Sequence, residues 1–127
     1  MLSNIIIDTL EGYGLELTKA TNLFAEQGRG DQHVVVSTGS PTNPVNTLEF
    51  LRRTPVNIIV TGWAMKDGWN LAEDICRAVA GMLGEYYYDE NELYTVLGVE
   101  VVNYPTLLKA AENITFTMNF IVTYRTS

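Results

Sequence analysis

Cysteine and histidine are almost missing from this chain, with 1 of each among 127 residues. A single thiol, Cys76, excludes an internal disulfide, and one thiol with one imidazole excludes the Cys and His ligand sets of structural zinc sites. Basic side chains are also scarce, 8 Lys and Arg against 15 Asp and Glu, for a formal net charge of −7. That balance repels phosphate backbones and argues against a nucleic-acid reader. No apolar run approaches the ~20 residues that span a bilayer, so no membrane role is expected. The opening stretch MLSNIIIDTLEGYG lacks the basic start and cleavage site of a secretory leader, which predicts a product that stays in the cytosol where it is made. A phosphate loop of the GxxxxGK type is absent too. Gly12, Gly14, Gly28 and Gly30 do not form a dinucleotide fingerprint after a strand.

What is present is an ordinary folding composition, 46% hydrophobic and 18% charged, on a length suited to a single domain over residues 1–127. The clearest pattern is ITFTMNFIVTYRT at 114–126. Ile114, Phe116, Met118, Phe120, Val122 and Tyr124 alternate with Thr115, Thr117, Asn119, Thr123 and Arg125, and only Ile121 departs. Side chains of a strand point to opposite faces in turn, so one face is apolar and the other rich in Thr. Such a strand runs on the order of 40 Å, longer than a small domain needs for its own core.

Other elements follow from their punctuation. Leu2, Ile5, Ile6, Thr9 and Leu10 recur at helical spacing, with Ser3 or Asn4 able to cap and Gly12 and Gly14 ending the run. LELTKATNLFAEQGRGDQ reads as an irregular connection with a short strand near Leu23 and Phe24. HVVVST (33–38) is a β-branched strand, and GSPTNPVN (39–46) is loop chemistry. Extended character resumes from Thr47 to Gly62, with Asn57, Ile59 and Thr61 on one side and Val56, Ile58 and Val60 on the other; Pro55 marks a strand start or bulge. Asn70 with Glu73 makes a capping box for a helix whose stripe is Leu71, Ile75, Ala78, Val79, Met82 and Leu83. Glu73 and Arg77 are spaced to pair, and Gly84 to end that helix. Leu93 to Val102 is a strand, Asn103, Tyr104 and Pro105 break it, and the long strand closes the chain. This order predicts an α+β domain: an antiparallel (mixed) four-stranded sheet with two helices packed on one face.

Chemistry-bearing residues are thinly spread. His33 has no Ser or Asp partner motif beside it, Cys76 lies on an apolar helical stripe as a small core residue, and Glu100 has no positioned partner. DENE (89–92) lacks the spaced ligands and glycine of a calcium loop and reads as a solvated turn. The Arg-Gly-Asp triplet at 29–31 and the sequon NIT at 113–115 are short enough to arise by chance. No catalytic residue, metal site or cofactor site is therefore assigned. Tyr86, Tyr87 and Tyr88, near Trp63, Trp69 and Tyr94, concentrate aromatic surface at a helix end, and side chains in series there cannot all face inward. They are candidates for a protein contact. Thr115, Thr117 and Asn119, on the outward face of the last strand, are the second candidate set.

The order of elements resembles the tail terminator family of long-tailed bacteriophages, including their minor capsid proteins. The likeness rests on the short helix ending in GYGL, NLF at 22–24, VVVSTG before a Pro/Asn loop, VNIIVTG, the helix NLAEDICRAVAGMLG, NYPTLL at 103–108 and ITFTMNFIVTY. ELTKATNLFAEQGRGDQ departs from it in lacking a central proline. The resemblance implies an α+β fold without catalysis or cofactor. It implies a homo-oligomeric ring, a hexamer, that caps the tail tube and joins it to the head. Its partners would be the tail tube protein and a head-completion or connector protein, with DNA passing through without sequence-specific binding. Its location would be the tail or neck of the virion. A head-closure or neck connector protein is one alternative, and a small ligand-binding or enzymatic α+β domain using His33 or Glu100 is another.

Overall fold

The alternation at the end of the chain becomes the longest fully in-phase strand of the sheet. In the computed structural model, which describes residues 1–41 and 51–127, two helices, α1 (Leu2–Glu11) and α2 (Met65–Ala80), accompany six strands. The strands are β1 (Leu23–Ala25), β2 (His33–Thr38), β3 (Leu51–Thr61), β4 (Tyr86–Asp89), β5 (Glu92–Lys109) and β6 (Thr115–Thr126). Residues 42–50, which hold most of the predicted loop and the first four residues of the predicted strand from Thr47, lie outside the described residues.

The four-stranded sheet with two helices on one face is not what forms. All six strands join one mixed sheet in the order β1-β2-β3-β6-β5-β4, curled into a half-barrel. Only β1 and β2 run parallel; the other pairings are antiparallel. The two extra strands are the short ones. Leu23–Ala25 is the short strand expected near Leu23 and Phe24, here joined to the sheet beside β2, whereas Tyr86–Asp89 looks like the end of the preceding helix until its pairing partners in β5 are known.

β6 sits between β3 and β5, and its burial alternates along its length. Phe116, Met118, Phe120, Val122 and Tyr124 are buried and join one core cluster with Val56, Ile58 and Val60 of β3, Val34 and Val36 of β2, and both helices. Burying a side chain of this size contributes about 1.5–3 kcal/mol each, so this single face of β6 supplies a large share of the stability. From α1 the cluster takes Leu2, Ile5, Ile6, Ile7 and Leu10, and from α2 it takes Ala72, Ile75, Cys76, Ala78 and Val79. α1 touches β1, β2 and β4, so it bridges strands near opposite edges of the curl. The Met1 nitrogen and the Asn4 amide both reach the Asp89 carboxylate of β4.

Several local expectations are corrected. α2 begins at Met65, capped by Ala64 without a side-chain bond, so Asn70 is interior to the helix and the Asn70–Glu73 capping box is not used. Gly68 is buried in the first turns, where an added Cβ would lie 3.0 Å from the Phe116 ring; the glycine brings the helix onto the sheet. Gly81 rather than Gly84 is the C-cap. Arg77 pairs with Asp74 at 2.8 Å instead of with Glu73, and Leu83 is exposed. α1 has Met1 as its N-cap, and neither Ser3 nor Asn4 caps it.

Asn103, Tyr104 and Pro105 do not end β5. The strand continues to Lys109 through register shifts between Val101 and Asn103, Asn103 and Thr106, and Leu107 and Lys109. Pro105 falls between the paired positions Asn103 and Thr106, where no ladder bond is lost, so the proline is absorbed as part of a bulge. DENE closes the β4–β5 hairpin. Its central residues, Glu90 and Asn91, have φ of 51° and 67°, as a type I′ two-residue turn requires.

Candidate functional site

The sheet has an outward face built from the residues that alternate with the core. Thr115, Thr117 and Asn119 lie on it, half-buried, in the middle of the sheet. Register aligns Asn119 with Asn57 of β3 on one side and with Asn103 of β5 on the other, and Asn57 in turn faces Ser37 of β2. Four polar side chains therefore form one row across four strands.

The row is bonded through its amides. Asn57 Nδ2 donates to Asn119 Oδ1 at 2.9 Å, to Thr117 Oγ1 at 2.9 Å and to the Met118 carbonyl at 3.3 Å. Asn119 Nδ2 donates onward to Asn103 Oδ1 at 3.2 Å. Two of the predicted contact residues, Thr117 and Asn119, thus share one donor. A groove of about 490 Å³ opens over the row, walled by Pro55, Val102 and Ile121 and by Thr38 and Gly39. Alternation along the chain places Asn57 on the outward side of its strand without assigning it a role, and Asn103 reads as a break. The missing signal is register: nothing within either segment says that the two residues stand either side of Asn119.

The tyrosines are placed differently from expectation. Tyr86, Tyr87 and Tyr88 are on the edge strand β4, not on a helix end. Tyr86 and Tyr88 are exposed, at 67% and 79%, while Tyr87 packs against the core. Burial raises the Tyr87 phenol pKa above its usual range, partly opposed by the neighbouring Thr9. Tyr86 pairs with Thr95, which pairs with Arg125 near the far end of β6 from Thr115. At the usual rise the stretch from Thr115 to Arg125 spans about 33 Å, so the tyrosines and the threonines are two regions of surface, not one site.

Groups weighed for catalysis remain apart. His33 Nδ1 is 2.9 Å from the Gly30 carbonyl, and its ring meets Phe24 edge-on with centroids 6.4 Å apart. Glu100 is exposed and faces Ile121. Cys76 is buried, and desolvation raises its thiol pKa, opposed by Arg77. Among the described residues no three or more His, Cys, Asp or Glu side chains group so as to hold a metal ion, and no helix is long and apolar enough to cross a membrane.

No family model and no curated protein matches the chain. Among solved structures, one whose name describes no activity is 10% identical, with 95% of this chain and 89% of that one covered and a TM-score of 0.53. A likeness at that identity concerns the fold alone. A crystal structure from Akkermansia muciniphila is 14% identical over 94% of this chain with a TM-score of 0.39, and this chain spans 46% of its length.

Proposed function

We propose that this chain is a non-catalytic structural subunit of a phage tail, of the tail terminator type, which closes with sister copies into a ring at the end of the tail tube. The observation that carries the reading is the outward face of the sheet. The second half of β5, residues 102–109, runs largely exposed, and the outward face of β6 sets half-buried Thr and Asn side chains between the buried core residues. Thr115, Thr117, Thr123 and Asn119 offer hydrogen-bonding surface there, and Tyr86 and Tyr88 add exposed aromatic area at the β4 edge. Tyrosine and asparagine suit such contacts because they combine area or hydrogen bonding with little ordering cost. The net charge of −7 suits a lumen through which DNA slides without adhering.

In this reading the chain acts in the virion, at the tail or neck. It meets the tail tube on one side and a head-completion protein on the other, holds no cofactor, and forms a closed ring, most simply a hexamer. Sedimentation velocity over a wide concentration range tests it. A mass that rises with concentration, or on addition of tail tubes, supports assembly by mass action.

A further inference from the structure

The asparagine row lies outside the hydrophobic core. Asparagine is disfavoured in strands because its side chain competes with the backbone for hydrogen bonds. Yet Asn57, Asn119 and Asn103 occupy one level of three adjacent strands, on the face away from the core. A local rule broken three times in register, with no gain to the core, is the kind of departure that marks a binding surface.

The geometry points to a binding site for an uncharged, extended polypeptide segment of a partner protein. The amides run in one direction, from Asn57 Nδ2 to Asn119 Oδ1 and from Asn119 Nδ2 to Asn103 Oδ1. Among the described residues this leaves an acceptor, Asn57 Oδ1, at one end and a donor, Asn103 Nδ2, at the other. A peptide group offers the complementary N–H and C=O, and successive peptide groups of an extended segment repeat that pair along its length. Every described residue that lines the groove is uncharged. On a chain of net charge −7, that lining provides no counter-charge for a phosphate, a carboxylate or a cation, so the complement is a neutral segment. Pro55, Val102 and Ile121 wall the groove with apolar surface for alternate side chains, and its volume of about 490 Å³ falls within the usual range of ligand pockets, about 300–1,000 Å³.

Peptide capture stands apart from ring assembly, because a groove on one copy can take a segment whether or not the copies associate. The test is a titration of the isotopically labelled protein with a library of acetylated, amidated hexapeptides made of uncharged residues, following the side-chain amide resonances of the three asparagines. Uncharged peptides are expected to move those resonances, and the same peptides carrying Lys or Asp at alternate positions are not. Asn103→Leu, at an exposed position, should keep the melting temperature and weaken the best peptide about tenfold, the scale of one lost hydrogen bond. Val102→Arg, also exposed, should abolish the shifts by placing a charge on the wall. Absence of any shift with the uncharged library overturns the proposal, as does a neutral oligosaccharide such as maltotriose moving the same resonances in place of the peptides. Unchanged peptide affinity in both variants overturns it too. Peptide binding without rings would count against the assembly reading alone, and rings without peptide binding against the groove alone.

Discussion

Asn57 of β3 and Asn119 of β6 stand directly opposite each other, and the Asn57 amide donates to the Asn119 carbonyl oxygen at 2.9 Å. The same amide serves Thr117, so its removal leaves two half-buried acceptors without their donor. Asn57→Ala is expected to cost about 1–3 kcal/mol in urea unfolding. A double-mutant cycle with Asn119→Ala should return a coupling of about 0.5–3 kcal/mol, since the two side chains touch. Strict additivity would mean that the row contributes nothing as a unit.

The two faces of β6 make opposite demands. Phe120 is buried at 1% exposure, and Phe120→Ala should cost about 3–5 kcal/mol. Thr117→Ala loses one acceptor on the outward face and should cost about 0.5–1.5 kcal/mol. Chemical denaturation of both variants checks this, and equal losses would mean that the faces are wrongly assigned.

Gly62 follows the end of β3 with φ of +101°, and a Cβ there would lie 1.8 Å from the Asp31 carbonyl oxygen. Both the backbone conformation and the space are closed to other residues. Gly62→Ala is expected to destabilise by about 2–4 kcal/mol in a thermal or urea melt, whereas Gly14→Ala, with open space around it, should show only the smaller cost of its positive φ.

Burial raises the pKa values of Cys76, Tyr87 and Tyr94. In the unfolded chain these groups ionise at their ordinary values, so the folded form holds its protons to higher pH. The stability they contribute is complete below the ordinary thiol range, about pH 8.5, and is lost as pH rises through and above it. Urea midpoints should therefore fall on the alkaline side, and Cys76→Ala should flatten the first part of that fall. For the same reason Cys76 should react with a thiol reagent at neutral pH only as fast as the protein opens, with prompt labelling in urea.

Much of the fold can be read from residue patterns, and the failures have physical causes. The strand at 114–126 is legible because its two faces differ in every residue but Ile121. α1 and β2 are legible because glycines and loop residues bound them. Met65 as the start of α2 is hidden, because the helix begins without a capping side chain and carries Gly68 for close packing on Phe116. Tyr86–Asp89 is hidden because four residues carry no period, and the strand exists only through its pairing with Leu93, Tyr94 and Thr95. Pro105 misleads because a proline in a bulge loses no ladder bond. Of the candidate surface, Thr117 and Asn119 are visible from alternation alone. Their partners Asn57 and Asn103 depend on register between strands far apart in the chain, which no local pattern encodes.

Ring assembly requires that copies of this chain associate through the surface that its own helices leave uncovered. Negative-stain microscopy of the purified protein, alone and mixed with phage tail tubes, is the sharpest test. Annular particles of uniform diameter, free or seated on tube ends, are the expected outcome. Particles that remain single subunits under both conditions, at every concentration tried, would contradict it.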